Sequence, residues 1–260
     1  MPAPSADPDP RLALAELLGQ LARAGASPLA RPASAGGDGG AATAAGTAAA
    51  TGDAAPADDA AAALAAVAAG VAACRRCPLG ALRTHAVPGE GPATARLMVV
   101  GEGPGAVEDR EGRPFVGPAG QLLDRILERG LGLSRREVFV ANVLKCRPPG
   151  NRDPEPEERD ACAPWLEEQI RLVRPELLLA LGRHAAQTLL GSTAPLGALR
   201  GRVLERPGGG PPVVATYHPA YLLRNPAAKA ACWADLQAVL RHLGLRPPVE
   251  RTGNRSGPTR

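Results

Sequence analysis

Cys74 and Cys77 are separated by two residues, a spacing that lets both thiolates reach one metal centre, and Cys146 and Cys162 downstream bring the count of available ligands to four. Cys232 sits among Ala230, Ala231 and Trp233 in a helical pattern and reads as a small buried hydrophobe. Cys74 and Cys77 resist that reading, because Arg75 and Arg76 lie between them and Pro78 follows. A zinc ribbon would show a second close pair, whereas Cys146 and Cys162 stand sixteen positions apart. That spacing weakens zinc without excluding it, so a metal is expected and its identity stays open.

A second group of residues carries polar chemistry. Gly101-Glu102-Gly103-Pro104-Gly105-Ala106 meets a loose dinucleotide pattern, but Glu102 would put a carboxylate where pyrophosphate should sit, and no capped helix follows. Small residues at Gly101, Gly103 and Pro104 instead let the backbone approach a ligand closely, while Glu102 and Glu108 are carboxylates able to orient a water. Phe115, in the charged loop Glu108 to Gly117, offers a ring that can stack on a planar base. Farther on, His218 can donate a hydrogen bond to charge developing on a leaving group. In the segment after it, Leu222 and Leu223 are able to wedge into a base stack and Arg224 to meet a phosphate. His85, His184 and His242 are read as structural.

Four short apolar runs must position these groups: Leu97 to Val100, Val138 to Val143, Leu177 to Leu181, and Val213 to Ala215. Helical patterns separate them, notably Gln121 to Arg129, Glu157 to Val173 and Ala227 to Leu243, and strands alternating with helices call for a mainly parallel sheet covered on both faces. The expected architecture is therefore a three-layer α/β/α sandwich around four strands. The first run ends at Gly101, the second at Asn142, the third at Gly182 and the fourth at His218. In an open parallel sheet the ligand crevice lies outside the carboxyl ends of the strands, so these residues converge although they are distant in sequence.

Composition bounds the rest. Residues 1 to 58 are rich in Ala, Gly, Pro, Ser, Thr and Asp and cannot bury enough apolar surface to offset the entropy of ordering, so a disordered extension is expected there. A short helix over residues 10–24, with Leu14, Leu17, Leu18 and Leu21 on one face, interrupts it and offers a surface for a protein partner. Asp58 or Asp59 is expected to cap an alanine-rich helix with Leu64, Val67 and Val71 on one face, opening a domain over 59–245. A basic, disordered tail over 246–260 completes the chain. Net charge is +4 overall, yet residues 1 to 70 carry seven acidic side chains against three arginines, which leaves +8 on the remainder and suits a polyanionic partner. No run of eighteen apolar residues and no signal-peptide pattern occurs, so a cytoplasmic chain with reduced thiols is expected.

Taken together, Cys74-x-x-Cys77, Gly101-Glu102-Gly103-Pro104-Gly105, Gly112-Arg113-Pro114-Phe115-Val116-Gly117, Asn142, Lys145-Cys146-Arg147-Pro148-Pro149, Asn151-Arg152, Cys162 and His218-Pro219-Ala220-Tyr221-Leu222-Leu223-Arg224 resemble the family 4, iron–sulfur uracil-DNA glycosylases. The resemblance runs from about Cys74 to Leu245. It implies a [4Fe-4S] cluster on Cys74, Cys77, Cys146 and Cys162, and uracil-containing DNA as the partner of a monomeric enzyme. It also implies that Phe115 stacks on the flipped uracil, Asn142 reads its Watson–Crick edge and His218 faces a uracil carbonyl. Glu102 falls in the water-activating motif with Glu108 as a second carboxylate, and Arg147, Arg152, Leu222, Leu223 and Arg224 face DNA. A related branch bonds covalently to DNA through a histidine in an inserted loop. Residues 145–152 run on without one, so ordinary turnover is expected. A non-catalytic, metal-stabilised DNA-binding module is the alternative.

Overall fold

The computed structural model describes residues 57–246. The helix expected over 10–24, its linker and the tail beyond Arg246 lie outside the described residues.

The four apolar runs form β1 (Leu97–Gly101), β2 (Val138–Asn142), β3 (Leu177–Leu181) and β5 (Val213–Thr216), mutually parallel in the order β2-β1-β3-β5. Every residue in them is buried, as a sheet covered on both faces requires. A fifth strand, β4 (Val203–Leu204), pairs antiparallel with the edge of β5. The sequence reading has four strands because this one is two residues long, half solvent-facing, and too short for any alternation to register.

Helices complete three layers: α1 (Ala57–Ala73), α2 (Leu79–Leu82), α3 (Ala106–Glu111), α4 (Pro118–Ile126), α5 (Pro156–Val173), α6 (Arg183–Leu190), α7 (Leu196–Leu199), α8 (Pro219–Arg224) and α9 (Lys229–Leu243). One face of the sheet presents Met98, Val100, Phe139, Leu178 and Ala180 to Leu166 and Ile170 of α5 and to Ala185, Ala186 and Leu189 of α6. On the other, α9 packs over β5 and β3. Leu64, Val67 and Val71 of α1 share an inward face as expected and meet Leu172 of α5. Asp58 and Asp59 fall inside the first turn of α1, where they oppose the positive end of its dipole, and not at the cap position that the sequence had offered them.

Strand order reverses between β1 and β3, since the chain leaves β1 for β2 on one side and returns to β3 on the other. The crevice expected at such a switch point is where the polar strand ends gather. The central strand carries the greatest packing load, and Leu178→Ala should cost about 2–5 kcal/mol of stability in denaturant unfolding, as buried leucine truncations do.

Candidate active site

Loops at the carboxyl edge enclose a cavity of about 380 Å³, lined among others by Glu102, Glu108, Phe115, Asn142, Asp153, His218, Tyr221 and Arg224. Six of these, Glu102, Glu108, Phe115, Asn142, His218 and Arg224, are residues that the sequence analysis singles out.

Phe115 forms a wall, its ring centroid 5.6 Å from that of His218 and its side chain 6 % exposed. Its backbone sits at φ 52°, a left-handed conformation that bulky residues avoid and that costs on the order of 1–3 kcal/mol. The surroundings impose it. Oε1 of buried Glu108 accepts the amide N–H groups of Val116 and Gly117 at 3.0 and 2.9 Å, and Arg135 donates to the carbonyls of Pro114 and Phe115. Arg135 is itself fixed by Glu90 at 3.0 Å and Asp124 at 2.9 Å. Gly120 leaves the room: a Cβ there would run into the Phe115 carbonyl.

Asn142 ends β2, and its side chain, 1 % exposed, lies against the cavity with Oδ1 unpaired. Buried acceptors without partners are uncommon and costly, so this oxygen waits for a donor from a ligand. Gly101 beneath it is required by space, because a Cβ would strike both Asn142 Oδ1 and the Phe115 ring.

His218 caps α8, and its Nδ1 accepts the Ala220 amide N–H at 3.1 Å. The ring proton therefore resides on Nε2, a donor at the cavity. Burial, with the nearby Arg224 guanidinium, pushes the imidazole down to about 4 against a weaker upward pull from Glu108. His218 is thus neutral at pH 7.

Glu102 projects from the turn after β1. Burial raises its carboxyl above the ordinary range; His184 pulls it back, Asp153 adds to the rise and Arg183 opposes it. His184 Nε2 stands 4.0 Å from Glu102 Oε2 and 3.2 Å from Asp153 Oδ2. Arg183 reaches Asp153 Oδ2 at 2.8 Å and His184 Nε2 at 3.0 Å. The sequence reading set His184 aside as structural and passed over Asp153. Position after β3 was the available signal, since Gly182 had already been identified as a strand end on this edge.

Other expected residues separate. Gly103 lines the cavity, whereas Pro104 is buried behind it. The wedge reading of Leu222 is corrected: it is 1 % exposed, because α8 turns this side chain inward while Leu223 remains 44 % exposed. Arg224 is exposed at the rim. Arg147 donates from Nε to Asn151 Oδ1 at 2.8 Å, and Arg152 is committed to buried Glu158 through two bonds of 2.9 and 2.6 Å. Glu158 thus holds the Arg152 guanidinium in place while the side chain remains exposed.

Cys74, Cys77, Cys146 and Cys162 line a second, smaller cavity with Trp165 and Gly80. Burial raises the Cys162 thiol to about 11 and also raises Cys146. Arg83 Nη1 donates to Cys146 Sγ at 2.9 Å and the Lys145 amide to Cys162 Sγ at 3.2 Å, bonds of the kind that support metal-bound thiolates. The buried Trp165 Nε1 faces Cys74, where its N–H helps to lower the thiol against the opposing effect of burial. Among the described residues the one set of three metal-ligating side chains within 4.8 Å of one another is Glu102, Asp153 and His184, so the sulfurs stand wider than a single tetrahedral ion would hold them.

A base-sized crevice with an aromatic wall, an amide edge and a neutral imidazole donor defines a site for a planar ligand. A family model for the uracil DNA glycosylase superfamily matches residues 88–237. The type-4 uracil-DNA glycosylase of Saccharolobus solfataricus is 43 % identical over 183 residues, covering 68 % of this chain and 85 % of that protein. That of Pyrobaculum aerophilum is 47 % identical over 169 residues, 63 % and 86 % of the two chains. A type-5 uracil-DNA glycosylase from Pyrobaculum aerophilum is 34 % identical over 178 residues, 56 % and 77 %. The chain belongs to the uracil-DNA glycosylase superfamily.

Imidazole nitrogen NMR should find His218 as the Nε2–H tautomer with a midpoint near 4; a midpoint at the ordinary 6.5 would overturn the assignment. Between those values the unfolded chain binds a proton that the folded chain refuses, so this group lowers stability as pH falls from 6.5 toward 4 and has no effect above 6.5.

Proposed function

We propose that this protein hydrolyses the bond between uracil and deoxyribose in DNA, releasing free uracil and leaving an abasic site. The observation that carries this reading is the buried, unpaired Asn142 Oδ1 beneath Phe115 and opposite His218. Uracil offers that oxygen its N3 proton and takes a bond from the Asn142 amide nitrogen at O4, whereas cytosine presents the inverse pattern. Phe115 stacks on the flipped ring, held without adaptation by the clamps on its turn. Breaking the glycosidic bond leaves negative charge on the base and positive charge on the sugar. His218, neutral and donating from Nε2, stabilises the uracil anion. Glu102 holds the attacking water against the sugar, while Glu108 serves the reaction through the Phe115 turn, its Oε1 being spent on two backbone amides.

Cys74, Cys77, Cys146 and Cys162 hold a [4Fe-4S] cluster in this reading. That no three of the four sulfurs fall within 4.8 Å of one another supports a cluster over a single zinc ion, and the Arg83 and Lys145 N–H groups stand ready to bond its thiolates. The cluster supplies a cross-link between α1, the loop after β2 and α5, and no redox step. Leu223 and Arg224 face the DNA. The enzyme is read as a cytoplasmic monomer with its glycosylase domain over 59–245.

Uracil release from an end-labelled oligonucleotide tests the reading. Cleavage at uracil after alkali should fall about 10²–10³-fold in His218→Ala, and unchanged release would sink the proposal. The acid limb of the rate should lie above the ordinary carboxylate range and vanish in Glu102→Gln, whose rate should fall roughly 10²–10⁴-fold. Cys74→Ala should lose the brown absorption of the purified protein and unfold earlier; a colourless variant of full stability and activity would refute a structural cluster.

A further inference from the structure

We propose that Tyr221, backed by Tyr217 and Arg200, is a stacking platform for the nucleobase adjacent to the excised one, a DNA subsite distinct from the pocket that takes the flipped base. This inference rests on the glycosylase reading above. The Tyr221 and Tyr217 rings lie 5.1 Å apart at 17°, and the Arg200 guanidinium covers Tyr217 at 4.6 Å from its centroid. The far end of this ladder is anchored inside the protein. Arg200 pairs with Asp235 at 2.9 Å, and Asp235, 2 % exposed, also accepts the Thr216 hydroxyl at 2.6 Å.

The near end is open. Tyr221 is 40 % exposed at the mouth of the cavity in a chain with only two tyrosines, two phenylalanines and two tryptophans, and both phenylalanines are buried. Leaving a ring in water forgoes burial of its apolar area, and fixing it from behind with a second ring, a guanidinium and a buried carboxylate removes the conformational cost of binding on it. Helical spacing fits the placement. The cap residue His218 and, on α8, Tyr221 and Arg224 follow at intervals of three and all line the cavity, while Leu222 turns inward. A base on Tyr221 therefore sits between the leaving-group donor and a cation suited to its phosphate. Stacking of this kind tolerates any base, since every base has a π-face.

The test uses the full protein and an oligonucleotide carrying 2-aminopurine beside a hydrolysis-resistant deoxyuridine analogue. Wild-type protein should quench the fluorophore on one side of the lesion. Tyr221→Phe should retain the quench, and Tyr221→Ala should lose it with about 5- to 150-fold weaker binding, the range expected for one lost stacked base. Equal quenching and affinity in Tyr221→Ala, or a Tyr221→Phe variant as impaired as Tyr221→Ala, would overturn the platform. Wild-type protein that binds but releases no uracil from ordinary substrate would instead remove the glycosylase reading beneath it.

Discussion

The ammonium of Lys145 joins the two working parts of this molecule. It is 1 % exposed and donates to the Asn142 carbonyl at 2.9 Å and to Gln169 Oε1 at 2.6 Å, while the same residue's amide N–H meets Cys162 Sγ. Burial pushes it down to about 8, against a small upward pull from the Cys162 thiol. A buried charge without a carboxylate beside it is costly, and it persists only where its hydrogen bonds are well made. Gln169 supplies one of those bonds and passes the constraint on by donating to the Pro88 carbonyl at 2.6 Å. Residues 142–146 consequently behave as one rigid piece, with the base-reading amide at one end and a cysteine of the second cavity at the other. Order at the cysteines is thereby tied to order at the pocket.

A second constraint acts across the pocket. The Phe115 turn spends backbone strain on holding a ring tilted 32° to that of His218, and what stabilises it comes from three elements: Glu108 of α3, Gly120 of α4, and Arg135 ahead of β2. None of these needs to touch a ligand. Their shared effect is to make the aromatic wall rigid before a base arrives, so that binding energy is not consumed in ordering it.

Periodicity made the sheet legible, because buried parallel strands read as continuous apolar runs, and three of the runs lead to the pocket residues Glu102, Asn142 and His218. β4 escaped because two residues carry no period. Asn142 and His218 were legible as strand ends, while His184 and Asp153 were not, since their significance is a relation of 3.2 Å between residues thirty-one positions apart. Leu222 and Leu223 illustrate the limit: adjacent leucines look alike in a motif, and only the phase of α8 decides that one is core and the other surface. Arg152 adds another relation of this kind, since only the fold shows that Glu158 holds its guanidinium.

The placement of charge around the cavity follows the reaction it is proposed to serve. On one side Glu102, Asp153 and His184 have the look of a cation site, and the Arg183 guanidinium stands within 3.0 Å of both His184 Nε2 and Asp153 Oδ2. Two carboxylates against one guanidinium leave that side negative whenever His184 is neutral. Across the pocket, Arg224 lies near enough to depress His218, and His218 offers only a donor. A glycosidic bond that breaks with its sugar toward Glu102 and its base toward His218 separates charge along the field already built into the protein. The neutrality of His218 belongs to the same arrangement: a cationic ring beside Arg224 would be repelled, whereas a neutral Nε2–H supplies its dipole to the leaving base at no such cost.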